Sequence, residues 1–288
     1  MINDNIRADI LLQAMPYIKK FAGKVLVVKY GGAAMINEGV RAAVLQDLIL
    51  MQQVGIKPVL VHGGGPEIDR MLKKLGKERV FVDGLRYTDD ETIEVVQMVL
   101  AGKVNKDLVA HIQRQGGLAL GICGGDGGLF SAVRLQKDGK DLGMVGEICS
   151  VRPQVVKQAL DAGFIPVVST IGLREDDESG YYNINADTAA AELAGALGAE
   201  KLILLTDVPG ILKDVSDVAT LISELKREDV PGIIKKGLVS GGMIPKVECC
   251  ADALAGGVKK AHIIDGRIEH AILLELFTSD GVGTQITL

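Results

Sequence analysis

The chain has no basic run, although a nucleic-acid or membrane-surface partner would call for one. Its 32 Lys and Arg face 37 Asp and Glu, a formal charge of −5, and no lysine tract concentrates the positive charge that is present. Cys123, Cys149, Cys249 and Cys250 form no C-x-x-C pair, and the four histidines are scattered. That argues against a structural zinc site and for free thiols in a reducing compartment. No apolar run is long enough to span a bilayer, and Asp4, Arg7 and Asp9 interrupt the place where a secretory segment would need an apolar core. These absences predict a cytoplasmic protein. An anionic ligand would have to be held by a few placed cations and by backbone amides.

The familiar nucleotide and hydrolase fingerprints are missing as well. No G-x-x-x-x-G-K-[ST] loop occurs and no G-x-G-x-x-G follows a strand pattern, which excludes a Walker-type ATPase and a dinucleotide-binding dehydrogenase by those criteria. "HGGG" (62–65) suggests an esterase oxyanion loop, but no serine lies in a G-x-S-x-G context, so that reading fails.

What is present is a recurring unit. "VLVVKYGG", "PVLVHGGG", "LALGICGG", "IPVVSTIG", "LILLTDVPG" and "AHIIDG" are short Val/Ile/Leu runs that end in glycine. Runs without polar alternation fit strands covered on both faces of a parallel sheet. Helical patterns fall between them at 66–75, 89–115, 153–162 and 187–197. The alternation predicts an α/β fold, an open and mainly parallel twisted sheet with helices on both faces, with ligands at the carboxyl ends of the strands. "VRLQKDGKDLGMVGEI" reads as a hairpin turning at Asp138-Gly139, and "KDVSDVATLISELKRED" as a polar surface helix. In the opening segment Ile6, Ile10, Tyr17, Ile18 and Phe21 share roughly one helical face, to be covered by a partner subunit or by the chain's own sheet.

Among these runs, isolated cations sit beside glycines. Lys29 closes the first strand next to Gly31 and Gly32, with a helix pattern starting near Ala33. Backbone N–H groups, a helix N-terminus and a lysine would together cradle phosphate; alone, a strand-end lysine is more often solvated. Gly241, Gly242 and Met243 lead into a helix whose first turn tolerates Pro245 and carries Lys246. A lysine there opposes the macrodipole, which hints at an anion that satisfies both, though an exposed lysine stays possible. Asn183, Asn185 and Asp187 precede an alanine-rich helix; capping explains one of them, and the Asp187 carboxylate is suited to hold two lysines. Arg86 in "DGLRYTD" serves either as a bidentate carboxylate grip or as a surface ion pair. Thr206, Asp207 and Gly210 lie in a segment that fits an adenine-side loop or a plain turn equally well.

These stretches, with "VHGGGPEI", "VLAGKVNKDLV" and "GICGGDGG", resemble the N-acetyl-L-glutamate kinases of the amino acid kinase family over essentially the whole chain. The resemblance implies ATP-dependent phosphorylation of the γ-carboxylate of N-acetyl-L-glutamate in arginine biosynthesis. The runner-up is a relative acting on another small carboxylate or on carbamate. By resemblance, Lys29 and Lys246 stabilise the transferring phosphoryl group, Asp187 orients them, and Gly64, Gly65, Arg86, Asn183 and Asn185 hold the acetylated amino acid. Gly31, Gly32, Thr206, Asp207, Gly210, Gly241, Gly242 and Met243 face ATP, whose Mg²⁺ is held mainly by the phosphates, and no resident metal site is expected. Residues 1–184 form an amino-acid-binding and dimerising lobe, with 1–22 as an interaction helix, and 185–288 form the ATP lobe. The opening helix is also similar to that of arginine-inhibited hexamers built as trimers of dimers. Tyr17, His270, Glu275, Gly281 and Gly283 are candidates for an L-arginine site. A carboxylate with an ordinary pKa of about 4.3 is ionised at neutral pH, so the acceptor needs no general base.

Overall fold

The computed structural model describes residues 4–35, 37–136, 139–175, 179–278 and 281–288. Helix α1 (Asp4–Phe21) precedes β1 (Val25–Tyr30), whose apolar run is buried almost throughout. A short 3-10 turn, Gly32–Met35, separates β1 from α2 (Glu38–Gln53). The helix expected near Ala33 therefore starts five residues later, where Asn37 accepts from the N–H groups of Gly39 and Val40. Next come β2 (Lys57–His62), α3 (Gly65–Lys74), and a small hairpin of β3 (Phe81–Val82) and β4 (Leu85–Arg86). The long helical pattern after it is α4 (Asp90–Gln97), capped by Asp89, then a π-helical stretch Met98–Val104 and α5 (Asn105–Arg114).

Strand β5 (Ala119–Cys123) leads to β6 (Phe130–Arg134) and β7 (Val145–Val151), which pair antiparallel as the predicted hairpin; Asp138 of its turn lies outside the described residues. Helix α6 (Gln154–Asp161), β8 (Ile165–Ser169), β9 (Ile171–Arg174), β10 (Tyr181–Ile184) and α7 (Ala186–Leu197) follow. The last third contains β11 (Lys201–Thr206), β12 (Glu224–Lys226), α8 (Val230–Lys235), α9 (Met243–Ala255), β13 (Lys260–Asp265), α10 (Ala271–Phe277) and β14 (Thr284–Thr287).

The six glycine-ended runs are β1, β2, β5, β8, β11 and β13, and all lie in one eight-stranded sheet of order β12-β14-β13-β11-β1-β2-β8-β5. Every neighbour pair in it is parallel except β13 with β14. Helices cover both faces through two apolar clusters, the αβα sandwich that the alternation implied. Strands β10, β7, β6 and β9 close into a small barrel, a feature the sequence reading did not include.

One correction concerns residues 213–229, expected as a polar surface helix. They contain only single 3-10 turns at Val218–Thr220 and Arg227–Asp229, and between them β12 pairs with β14. The segment's polar residues satisfy each other locally instead, as where Asp214 accepts from Ser216 and Asp217 from the Ala219 N–H.

Helix α1 divides along its length. Phe21 is buried, and Tyr17 and Ile18 half-buried, where its end meets α10. Ile6, Ile10, Leu11, Leu12 and Met15 stand exposed, each at 50% or more. The chain's own core covers one end of the predicted face and leaves the other bare. No described helix is long and apolar enough to cross a membrane.

Strand alternation decides what the sheet presents at its carboxyl edge. Along β1, Val27 belongs to the cluster under α7 and α9, while Leu26, Val28 and Tyr30 belong to the cluster under α2. Each such fully buried side chain contributes about 1.5–3 kcal/mol, so the strand's orientation is fixed by burial on both faces. By period two, Lys29 then points to the α7 side.

The barrel is tied to the rest through Gly143, where φ is +68° and an added Cβ would run into the Thr88 carbonyl. Thr88 N–H donates to Leu142 O at 3.1 Å across the same bridge. Gly143→Ala is expected to destabilise the protein by about 2–4 kcal/mol through backbone strain and this clash, read as a lower urea midpoint with an unchanged m-value.

Candidate active site

Lys29 reaches the first turn of α7, where its Nζ lies 2.9 Å from Asp187 Oδ1. Lys246, from the first turn of α9, places its Nζ 2.7 Å from the other oxygen, Oδ2. Side-chain exposures of 11, 13 and 21% for Lys29, Asp187 and Lys246 put the group mostly out of water, where charge interactions are strong. Burial raises the pKa of the Asp187 carboxyl, but the charges of Lys29 and Lys246 and their hydrogen bonds outweigh it and hold the group below its ordinary value. The unfavourable position of Lys246 on its helix thus has an anion opposite it.

Local sequence sets this geometry. Asn185 is the cap of α7, its side chain accepting from the Asp187 and Thr188 N–H groups, so Asp187 falls in the first turn beside the helix's positive end. Of the three short polar residues, Asn185 is the one whose role is capping. Gly31 leaves room for the lysine: a Cβ there would sit 3.1 Å from Lys29 Nζ and 3.2 Å from its Cε. Cys249 Sγ lies 3.0 Å from the Asp187 backbone carbonyl and ties α9 to α7; no spacing pattern pointed to it.

On one side of the triad lies a cleft of about 1250 Å³. It is lined by Gly31, Gly32, Thr206, Asp207, Gly210, Gly241, Gly242 and Met243, the set singled out in the sequence, together with Asn185. Gly241 and Gly242 lead into α9 as expected, with Gly242 at its cap. The Thr206 hydroxyl donates towards Val208 O at 2.8 Å and shapes the turn before Gly210. Apolar side chains of Ile211, Leu212, Leu238 and Val239 also line the cleft; they were missed because loop residues show no periodicity. Arg267 lines it too, held by Asp265 at 2.7 Å.

A different chain of contacts begins at Gly63. Gly63 packs against Ala186, which precedes Asp187; a Cβ on it would meet that methyl at 3.5 Å. Gly64 and Gly65 open α3, and Arg86 Nη2 donates to Gly65 O at 3.3 Å. Arg86 is nearly buried, paired with Asp69 at 2.5 Å, and lies over the Phe81 ring at 4.8 Å, so it is an interior group rather than a surface one. Its Nη1 is buried without a hydrogen-bond partner among the described residues. Thr88 Oγ1 donates to Arg86 O at 2.9 Å and accepts from Asn183 Nδ2 at 3.2 Å, which joins Asn183 to the group. Asp69 and Thr88 were not foreseen, since the Asp69–Arg86 pair and the Thr88–Asn183 hydrogen bond join residues distant in sequence.

Among the described residues, no cluster of His, Cys, Asp or Glu could hold a metal ion. Asp187, the carboxylate between the lysines, is occupied by them.

The sequence profile of the Amino acid kinase family matches residues 24–265, a span that contains the triad and both flanking sets. The chain belongs to the amino acid kinase family. Within that family it is 56% identical to acetylglutamate kinase of Heliobacterium modesticaldum over 97% of each chain. It is 54% identical to acetylglutamate kinase of Clostridium beijerinckii over 99% of this chain and 100% of that one. Identity at this level over full length makes the chain a kinase. Among solved structures, N-acetylglutamate synthase from Neisseria gonorrhoeae, complexed with coenzyme A and N-acetyl-glutamate, superposes with a TM-score of 0.85 at 27% identity. The match covers 98% of this chain, which spans only 63% of that synthase. Carbamate kinase from Giardia lamblia bound to AMP-PNP shares the fold, with a TM-score of 0.69 at 18% identity, 92% of this chain and 99% of that one being covered.

Away from the triad, this family member gathers Tyr17, Glu275, Gly281 and Gly283 around a cavity of about 290 Å³, with Lys20, Lys201 and Lys260. Glu275 lies 2.7 Å from His262 Nδ1 and 3.3 Å from Lys201 Nζ, and it accepts from the Val282 N–H at 2.9 Å. Burial opposes ionisation of Glu275, yet these partners hold its pKa at about 2. His270 does not line this cavity; it pairs through Nδ1 with the buried Asp47 at 2.6 Å. At the head of α10 its backbone lies at φ +59°, a position that turns it towards α2.

The depressed Asp187 pKa carries a definite sign. The carboxylate adds stability above its ordinary value of 3.8, and that contribution is lost as pH falls through the lower folded value. Asp187→Asn is expected to be less stable than the parent by about 1–3 kcal/mol near neutral pH. In urea unfolding the difference should shrink as pH is lowered through 3.8 and beyond.

Proposed function

We propose that the protein transfers the γ-phosphoryl group of ATP to the γ-carboxylate of N-acetyl-L-glutamate, giving N-acetyl-L-glutamyl 5-phosphate. The observation that carries this reading is the single Asp187 carboxylate that joins Lys29 and Lys246 between two differently built sites. The large cleft, with glycine loops and an apolar wall, suits a nucleotide. The Gly64, Gly65, Arg86 and Asn183 side, with a buried guanidinium nitrogen to spare, suits a small substrate that carries carboxylate and amide groups. Full-length identity to acetylglutamate kinases supports the same substrates.

In this mechanism the ionised γ-carboxylate oxygen attacks the γ-phosphorus, a new O–P bond forms, and the bond to the ADP oxygen breaks. Both reactants are anions, so the barrier is dominated by repulsion and by charge spreading over the transferring oxygens. Two lysines held by one carboxylate are already in place to meet that charge and need little reorganisation. Lysine suits the task because it is a mobile point charge able to follow the phosphoryl group. The N–H groups at the head of α3 supply further donors from the acceptor's side. Magnesium would arrive on the phosphates of ATP and neutralise part of their charge.

Residues 1–184 serve in this reading as the amino-acid and dimerisation lobe and 185–288 as the ATP lobe. The exposed Ile6, Ile10, Leu11, Leu12 and Met15 of α1 support its use as a contact between dimers of a hexamer. The cavity around Tyr17, Glu275, Gly281 and Gly283 supports feedback inhibition by L-arginine: Glu275 would face its cationic end, and the α1–α10 junction would couple binding to assembly.

Coupled ADP-release assays test this directly. N-acetyl-L-glutamate should support turnover at least about 100-fold better in kcat/KM than free glutamate, because a site built around the acetamide leaves polar groups unpaired without it. Equal rates would remove the substrate assignment. Millimolar L-arginine should slow the parent, and Glu275→Gln should respond less; indifference of the parent would remove the regulatory part alone. Lys246→Ala should lower kcat by about 10²–10³-fold, as loss of a charge-stabilising donor does, while still folding cooperatively with a melting temperature below the parent's because Asp187 loses one partner.

A further inference from the structure

His62 closes β2 and has no role in the chemistry above, yet it is fully buried with polar partners on both ring nitrogens. Its Nδ1 lies 2.9 Å from the Gly63 carbonyl oxygen. A carbonyl can only accept, so Nδ1 carries the proton. Its Nε2 lies 3.1 Å from Asn105 Nδ2. That amide nitrogen also faces the carbonyls of Val167 at 2.8 Å and Ile122 at 3.3 Å, while Asn105 Oδ1 accepts from Lys106 Nζ at 3.1 Å. Two carbonyls and an ammonium leave the amide one orientation, nitrogen towards the ring; with the proton on Nδ1, the neutral ring turns a bare Nε2 to that nitrogen, whose two N–H groups are shared among three acceptors. The neutral Nδ1–H tautomer is the one that fits both contacts of the ring. Burial, helped by the Lys106 charge and opposed by the Gly63 hydrogen bond, pushes the ring's pKa down to about 4, in keeping with a neutral imidazole.

The consequence falls on the next peptide. In a trans peptide the carbonyl and the following N–H point in opposite directions. Holding Gly63 O against the His62 ring therefore turns the Gly64 N–H away from it. Gly64 caps α3 without a side chain, and the first N–H groups of a helix have no intrahelical acceptor. The same helical segment fixes Gly64 from another direction, since a Cβ there would sit 2.6 Å from Leu100 Cδ2 and 3.3 Å from Val104 Cγ2. Leu100 and Val104 belong to the π-helical stretch that delivers Asn105. One piece of chain thus sets both the position of Gly64 and, through Asn105 and His62, the orientation of its N–H.

We propose that His62, held in one tautomer by Asn105, is a positioning residue that locks the Gly63–Gly64 peptide so that the Gly64 N–H is aimed at the transferring phosphoryl group. This deepens the reading under which Gly64 and Gly65 face the acceptor substrate, and it rests on that reading. Two substitutions separate the ring's two nitrogens. His62→Asn puts an amide nitrogen where Nδ1 stands and keeps the donor to Gly63 O; His62→Gln reaches the Nε2 position and loses that donor.

The expected result is a split. H62N keeps kcat within about threefold of the parent, H62Q lowers it about 10- to 100-fold, and KM for ATP moves less than about twofold in either, because misdirecting one donor costs transition-state charge stabilisation. Equal losses in both variants, or a loss confined to KM for ATP, would overturn the lock. Should neither variant fold, nitrogen-edited NMR of the parent's imidazole decides: the proposal requires the Nδ1–H tautomer near neutral pH, and an Nε2–H ring refutes it. A parent that released no ADP with N-acetyl-L-glutamate would fail the functional reading and the aim assigned to Gly64. The tautomer spectrum, which needs no turnover, tells that failure apart from failure of the lock itself.

Discussion

A carboxylate shared between two ammonium groups is the constraint on which this site depends. Lys29 and Lys246 are separated by most of the chain, and without the Asp187 oxygens between them their charges would repel in a poorly solvated space. Each member arrives by a separate local cause. Period-two alternation with burial on both faces points Lys29 to the α7 side. The Asn185 cap starts α7 one residue before Ala186 and so sets Asp187 in its first turn. The Gly241-Gly242 approach begins α9 where Lys246 can reach back. The triad carries one negative and two positive charges, a net positive spot within a chain whose total is −5. That local excess is the physical basis for bringing two anions together.

The two sides of the triad differ in how they are made. The cleft is assembled mainly from loops of the last third of the chain, with the turn after β1 and Asp83, Gly84 and Leu85 of the β3–β4 hairpin, and its glycines let backbone approach a ligand closely. The opposite side is a rigid relay in which each polar group holds the next: Asp69 to Arg86, Arg86 to the Gly65 carbonyl, Thr88 to Arg86 and Asn183 to Thr88. The His62–Asn105 pair extends the same logic beneath the sheet edge. A side that recognises a small acid by several hydrogen bonds gains from such preorganisation, because loosely held donors would lose entropy on binding.

Much of this was legible in the chain. Six glycine-ended runs became the parallel body of the sheet, since uninterrupted Val/Ile/Leu sequences have no stable place except between two covered faces. Lys29, Asp187 and Lys246 each allowed a bland role alone and stood out through the glycines, helix starts and short polar residues clustered beside them. The errors fell where local pattern misleads. Residues 213–229 had helical composition, but their short polar side chains bond to nearby backbone and open turns instead. Apart from these errors, His270 lies close in sequence to Glu275 and Gly281 but pairs with Asp47 on α2, away from the cavity that the other two line. The small barrel went unread because, although β6–β7 and β9–β10 pair as sequence neighbours, its closure depends on the β7–β10 and β6–β9 pairs, which join distant segments and leave no periodic trace.

By itself the sequence determined the elements, the layered fold and the kinds of group available at the strand ends, because these follow from apolar periodicity, glycine conformation and capping within a few residues. Only the tertiary structure decided which groups meet: that one carboxylate serves both lysines, that Arg86 is gripped by Asp69 with a nitrogen left over, and that His62 has a single tautomer. Apart from the His62–Gly63 contact, those facts depend on distances of a few ångströms between residues that are distant in sequence. Such proximities are set by how helices pack on the sheet rather than by any local preference of the chain.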